Sequence, residues 1–339
     1  MPREERRPGV DHAQAKPGTG RPLVLVGPRG GDVVIDKPAG PTSHDVVAKL
    51  RRELGRREMG HAGTLDPMAT GVLVVAIGEA TKLVPYLTAD DKAYETTLVL
   101  GRETDTLDAD GKETARRDVA GDVREALAAA PDTVLPRLQA AIDIERGRRA
   151  QMPPAYSAIR KGGERAYEKA RRGEDPELTE RPVAVRALDV LAGGTDPEPW
   201  ITLRVEVEKG YFVRALARDL AASLGTVGHL TSLRRTRSGS FTLEDALPMD
   251  TPGDEIAARV ILLEHAAARA LPVAVLSEIG ARDARFGRAV AKEHLDVSDA
   301  GPHAWLDAAG QLVAVGEVVE GESVGRVLRG FGGLPSVSS

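Results

Sequence analysis

GHAGTLDPMATGVLVVAIGEATKL, residues 60–83, sets three glycines, one histidine and one aspartate within twelve residues and then turns apolar. The run GVLVVAIG has the length and composition of a buried strand, and EATKLVPYL after it predicts a helix. Ahead of the strand, Gly60, Gly63 and Gly71 permit tight turns and close backbone approach by another molecule. Pro67 biases Asp66 toward an extended conformation and denies the next position a backbone donor. Such a loop is suited to holding a carboxylate at the rim of a cleft. An isolated Asp beside Pro more commonly forms an Asx turn or a helix cap.

Outward from this loop the pattern alternates strands and helices. Val33, Val34 and Ile35 predict a strand, 37–41 a turn, and Ser43 is the expected cap of a helix running to about Leu54. AYETTLVLG predicts a strand with alternating faces, and two short helices are expected within 120–146, broken at Pro131 and Asp132. QMPPAYSAIRKGGERAYEKARRG is a Pro-interrupted extended segment leading into a basic helix, on which Arg165, Lys169 and Arg172 fall at i, i+4 and i+7. In WITLRVEVEKG, Ile201, Leu203, Val205 and Val207 share one face of a strand. Phe212, Leu216, Leu220 and Leu224 share one face of the helix after it, with Arg214 and Arg218 on another. A connecting helix is expected over 251–270, then short strands with glycine turns. Residues 1–30, rich in Pro, Gly and charge without periodicity, are expected to be a disordered tail.

At 339 residues, with 42% hydrophobic and 29% charged residues, the chain has the composition of a soluble globular protein of one large and one smaller domain. Its 3% aromatic content leaves the core to aliphatic residues. No run approaches the ~20 apolar residues of a membrane span, and the basic N-terminus has no apolar stretch behind it, so a cytoplasmic location is expected. Zero cysteines exclude disulfides and thiol nucleophiles. The net charge of −5 is unevenly spread: 145–172 hold nine basic against three acidic residues, and 240–339 hold eight against fifteen. That asymmetry suits a confined polyanion-binding surface, and also a solvated helix face.

Nucleotide and metal patterns are missing. No GxGxxG follows a strand, TDTLDADG lacks the first and last carboxylates of a calcium loop, and the seven histidines show no HExxH spacing. Two other residues bear on Asp66. A second turn, 208–210, delivers Arg214 near the start of a helix, and Tyr94 begins a strand. An arginine facing Asp66 would hold it ionised and oriented, and a tyrosine would supply a stacking face and a hydroxyl.

Six blocks in order, KPAGPTSHDVV, GHAGTLDPMATGVLVVAIGEATKL, DKAYETTLVLGRETDTLDADG, QMPPAYSAIRKGGERAYEKARRG, GYFVRALARDLAASLG and HLTSLRRTRSG, closely resemble the bacterial TruB family of tRNA pseudouridine-55 synthases. The resemblance covers about residues 32–246, with a weaker likeness over about 271–332 to the small PUA-like domain that ends many members. It implies an α+β pseudouridine synthase fold. A central mixed, largely antiparallel sheet would be flanked by helices over 31–250, with an RNA-gripping insertion at about 151–180 and a β-rich PUA-like domain over 271–335. The implied reaction cuts the N-glycosidic bond of one uridine in the T arm of tRNA, turns the uracil and rejoins it through C5. It requires no cofactor or metal, and the implied enzyme acts on tRNA as a monomer without a protein partner or membrane.

Carried over by position, Asp66 matches the catalytic aspartate, Arg214 the arginine paired with it, and Tyr94 the tyrosine packed on the uracil. With an ordinary side-chain pKa of about 3.9, an aspartate is ionised at neutral pH. Attack at C1′, attack at C6 and removal of a ribose proton to give a glycal all remain open for it. His61 matches the residue that occupies space left by everted nucleotides. Leu233 would line the uracil pocket, and Arg235 would support the loop or a phosphate. Arg165, Lys169 and Arg172 would meet phosphates, with Tyr167 as a stacking face. Two substrate-binding positions depart from the family: Phe212 stands where many members have tyrosine, and Arg160 replaces a usual lysine. The rival readings are a tRNA-folding chaperone with secondary or lost catalysis, and the catalytic subunit of an RNA-guided pseudouridylase, which the basic insertion disfavours.

Overall fold

The structure, a computed structural model, describes residues 27–129, 136–297, 299–319 and 321–332. Most of the expected N-terminal tail, and the expected break at Pro131 and Asp132, lie outside them. Two strands explain why 60–83 organises the molecule. β1 (Gly30–Lys37) and β2 (Thr70–Gly78) pair antiparallel along their whole length, from Gly30 opposite Gly78 to Lys37 opposite Gly71. Val33, Ile35, Leu73, Val75 and Ile77 face one core, while Val34, Val72, Val74 and Ala76 face a second. Both faces are therefore buried, which is why the run is uninterrupted rather than alternating.

Four more strands complete the centre: β3 (Lys92–Leu100), β4 (Val185–Gly194), β5 (Trp200–Val207) and β6 (Gly228–Ser238). Their order is β4-β5-β3-β6-β2-β1, with Leu247–Pro248 at the β1 edge. Neighbours run antiparallel except β6 with β2 and β1 with the edge strand, so the sheet is mixed and largely antiparallel. The parallel contact sets Arg234 opposite Thr70 and Arg235 opposite Gly71.

α1 (Ser43–Leu54), α2 (Gly121–Ala128), α3 (Pro136–Arg146) and α4 (Val213–Ser223) cover the first core, with Ile256 of the short helix Gly253–Ala258 beside them. Each contributes an apolar stripe, such as Val46, Val47, Leu50 and Leu54 of α1, or Leu216 and Leu220 of α4. Leu220 is fully buried, so truncating it to alanine would cost about 2–5 kcal/mol.

Ser43 is not the cap of α1. Thr42 takes that role in a capping box with Asp45, at 3.1 and 2.9 Å, and its first-turn carboxylate also suits the helix dipole. EATKLVPYL is a 3₁₀ turn, Glu79–Leu83, followed by one α-helical turn, Val84–Leu87. The expected connecting helix over 251–270 is two helices, Gly253–Ala258 and Leu263–Ala270. They are parted because Ile261 and Leu262 pair with Asp32 and Gly31.

Beyond them a six-stranded sheet spans Val273 to Gly330, with the helix Glu278–Arg285 and a core around the fully buried Trp305. Its Ala304, Leu312 and Val315, with Phe331, also enter the second core beside Val34, Val72 and Val74. No helix among the described residues is long and apolar enough to cross a membrane.

Candidate active site

Asp66 lies on the loop between the short strand Met59–His61 and β2, and that loop is held from three directions. From the turn after β1, the Gly40 N–H donates to the Pro67 carbonyl at 2.8 Å, and the buried Lys37 Nζ donates to the carbonyls of Pro38, Pro41 and Pro67. From α1, the buried Ser43 hydroxyl accepts from the Leu65 N–H at 2.9 Å and donates to its carbonyl at 3.2 Å. From β6, Arg235 donates to the carbonyls of Val72, Gly63 and Thr64. These contacts satisfy a loop backbone that forms no regular ladder.

Of the three glycines, Gly63 and Gly71 hold φ of +92° and +100°, which favour glycine, and at Gly71 a Cβ would also lie 2.1 Å from the Arg235 carbonyl oxygen. Gly60 sits in the Met59–His61 strand with open space where a Cβ would go, so the tight turn expected at Gly60 is absent.

Arg214, in the first turn of α4, meets Asp66 with two nitrogens, Nε to Oδ2 at 2.8 Å and Nη2 to Oδ1 at 3.2 Å. Its guanidinium is otherwise saturated: Nη1 donates to the Thr106 carbonyl and Nη2 to the Tyr156 carbonyl, both at 2.8 Å, and Asp108 Oδ2 is 3.5 Å away. The Arg214 side chain is 7% exposed and that of Asp66 33%, so a buried cation fixes a carboxylate whose free edge reaches solvent. Leu107, between two of these anchors, holds a φ of +61°, an unfavourable conformation for a branched residue that the surrounding fold sustains.

The pair forms one wall of a cleft of about 150 Å³, with Tyr94, Ser157, Tyr211, Phe212 and Leu233 among its other lining groups. Drug-sized ligands occupy roughly 300–1,000 Å³, so this cleft suits one small ring with the remainder of the molecule outside. Tyr211 donates to the fully buried Glu145 at 2.6 Å. Burial, with that carboxylate, pushes its phenol pKa up, and the hydroxyl stays a donor. Gln151 brackets the Phe212 backbone, accepting from its N–H at 2.9 Å and donating to its carbonyl at 3.3 Å. Phe212 thus presents a bare ring to the cleft.

Asp66, Tyr94, Arg214, Phe212 and Leu233 are brought together as expected. Arg235 is not available to a phosphate: it is 1% exposed and its donors are directed at loop carbonyls. His61 lies off the cleft, its ring edge-on to His44 at 5.2 Å. Burial, then His44 and Arg235, push its pKa below the usual imidazole value, which keeps it neutral.

The basic insertion is a small hairpin, Arg160–Lys161 with Glu164–Arg165, running into a helix of six residues, Ala166–Arg171. Arg165 and Arg172 are its caps rather than members. Arg172 is tied to Glu164 at 2.6 Å and Glu174 at 2.8 Å, so the expected three-residue phosphate face is not formed. Arg165 donates to the Tyr167 hydroxyl, Arg171 lies 5.3 Å over the same ring, and the Arg160 side chain donates to the Gly163 carbonyl. Lys169 makes no side-chain hydrogen bond or ion pair among the described residues. The parts played by Lys37, Ser43, Asp108 and Arg171 are not foreseen by sequence reasoning. For Asp108 a signal exists in TDTLDADG, a carboxylate-rich turn that fails as a calcium loop.

Comparison with known proteins bears on this arrangement. Residues 51–213 match the family model of the TruB family pseudouridylate synthase N-terminal domain, and 214–268 that of the tRNA pseudouridylate synthase B C-terminal domain. tRNA pseudouridine synthase B of Mycobacterium sp. (strain KMS) is 45% identical over 268 residues, covering 79% of this chain and 86% of that protein. The protein of the same name from Thermobifida fusca (strain YX) is 42% identical over 298 residues, covering 86% and 96%. A chain in the crystal structure of a Cbf5-Nop10-Gar1 complex superposes with a TM-score of 0.67 at 24% identity, covering 95% of this chain and 91% of that one, a likeness of fold.

Proposed function

The chain belongs to the TruB family of pseudouridylate synthases and isomerises uridine to pseudouridine in tRNA, and we propose that its target is uridine 55 of the T arm, with Asp66 as the reactive carboxylate. The observation that carries the assignment of Asp66 is its two-point contact with Arg214 at the mouth of a cleft that fits one base. The reaction breaks N1–C1′ and forms C5–C1′; the C5 proton is released to solvent and N1 gains one from it, so the composition is unchanged and no group donor or redox partner is consumed. The carboxylate edge left free by Arg214 faces the ribose, where it acts as nucleophile or proton acceptor. Tyr94 and Leu233 hold the uracil between them while it turns, and the Tyr94 hydroxyl is the candidate for the C5 proton step.

The size of the cleft requires the uridine to leave its stack. Unstacking costs a few kcal/mol, and His61, edge-on to His44 and beside the cleft rather than in it, offers a neutral aromatic surface against the vacated stack. Lys169, Arg160 and Arg171 on the insertion meet phosphates. In this reading 31–250 is the catalytic unit and 271–335 a PUA-like second unit. The enzyme works as a cytoplasmic monomer with no protein partner.

The test uses unmodified tRNA tritiated at uridine C5, with wild type and Asp66→Asn, and maps the product by primer extension after carbodiimide derivatisation of pseudouridine. Tritium release by wild type alone, with a single stop at position 55, is expected. Release by Asp66→Asn at a comparable rate would remove Asp66 from the chemistry, and a stop elsewhere would overturn the T-arm assignment.

A further inference from the structure

A second basic stretch plays no part in the Asp66 cleft. Residues 49–57, KLRRELGRR, hold five basic residues against one acidic in a chain of net charge −5. α1 sorts them: its buried stripe faces the first core, while Asp45, Ala48, Lys49 and Arg52, at i, i+3, i+4 and i+7, share the outward face. That face lines two clefts, of about 530 and 760 Å³, which share Lys49 and Met249 and so form one groove. The turn after β1 and the segment around Met249 make its other walls, and the short Ala48 side chain leaves the helix wall open.

The charges in the groove are unequally engaged. Asp36 holds Arg234 through two bonds of 2.8 and 3.1 Å, and Asp45 is bound into the α1 cap. Arg51 donates to the Met59 carbonyl, and Asp250 also faces the groove. Lys49 and Arg52 make no side-chain hydrogen bond or ion pair among the described residues. They are two unpaired cations three residues apart on one helix, within reach of neighbouring phosphates.

We infer that this groove binds the ribose-phosphate backbone of the tRNA substrate outside the arm that presents the reacting uridine, with Lys49 and Arg52 as the phosphate contacts. The inference rests on tRNA being the substrate. The turn at 38–41 separates the groove from Asp66, since its Gly40 N–H backs onto the Pro67 carbonyl. Tyr156, through which the insertion segment reaches the site, approaches Asp66 from the Arg214 side instead. RNA lying along α1 is therefore a different stretch from the one seated at Asp66 and the insertion.

The experiment compares wild type with the double variant Lys49→Ala, Arg52→Ala on full-length unmodified tRNA and on an isolated T-arm hairpin. For the tRNA, KM rises about tenfold with kcat unchanged, and the log–log salt slope of binding falls by about 1.4–1.8, each phosphate no longer neutralised accounting for roughly 0.7–0.9. The hairpin shows neither change, and Lys49→Arg with Arg52→Lys behaves as wild type. An unchanged slope for tRNA, or an equal change for both RNAs, overturns the inference. Should wild type modify neither RNA, the enzymatic reading falls, and the groove is still decided by the two salt slopes.

Discussion

Replacing Arg214 by lysine keeps the charge facing Asp66 and removes the geometry. The guanidinium spans Asp66, the Thr106 carbonyl and the Tyr156 carbonyl through all three of its nitrogens at 2.8–3.2 Å. A lysine has one nitrogen at the end of a flexible chain and cannot reproduce the fork. If it keeps two of the four bonds, the other two, each donated by the charged guanidinium, disappear at about 1.5–3 kcal/mol apiece. The site is almost fully desolvated on the arginine side, so little of this is returned by water. Because those bonds orient the carboxylate rather than bind the RNA, most of the effect falls on the chemical step. At about 1.4 kcal/mol per tenfold, the smallest estimate of about 3 kcal/mol slows the reaction roughly a hundredfold. Single-turnover tritium release with enzyme in excess reads the rate, and filter binding reads affinity, expected within about threefold of wild type. A rate within about threefold of wild type would refute the idea that the two-point contact positions Asp66.

Asp32 is fully buried in β1, neither carboxylate oxygen has a hydrogen-bond partner among the described residues, and burial pushes its pKa up to about 8 despite Arg269. Between the unfolded value and about 8 the folded state holds the extra proton, so stability should fall as pH rises from about 4 to 8. Asp32→Val should flatten that dependence and, by removing an unsatisfied polar group worth about 1–3 kcal/mol, raise Tm at pH 8 by several degrees; melting curves at pH 5 and 8 check both. Gly71→Ala should prevent soluble folding, because the Arg235 backbone occupies the space, whereas Gly60→Ala should shift Tm little. On the insertion, Lys169→Ala should lower the salt slope of tRNA binding by about 0.7–0.9, and Arg172→Ala, already paired twice, by much less. Equal effects of the two would mean that RNA pulls Arg172 from its glutamates.

What is legible in the sequence is governed by short range. The strand after Asp66, the stripe of α4 and the Phe212 ring in the cleft follow from periodicity or from family likeness at single positions. Ser43 reads as a cap because Ser and Thr are interchangeable at that level; that Thr42 caps the helix and frees Ser43 for Leu65 depends on a contact 22 residues away. Lys37 and Arg235 bind backbone carbonyls, which leave no trace in residue identity. Arg172 fits a phosphate face only while helical spacing is considered without Glu164 and Glu174, whose pairing with it is local competition for the same charge.

β2 leaves the Asp66 loop with one face in the helical core and the other in a second core that also takes in the helix Leu263–Ala270 and Leu312, Val315 and Phe331 of the C-terminal part. The second sheet is therefore poorly suited to being a detachable accessory. A chain ending near residue 270 would leave the second core without Ala304, Leu312, Val315 and Phe331, and would uncover the side of the helix Leu263–Ala270 that faces the second sheet. Trimming to a minimal enzyme, or swapping in another protein's RNA-binding tail, calls for redesigning that buried seam. Over evolutionary time it ties the acidic C-terminal part to the catalytic half, whatever RNA contacts that part makes.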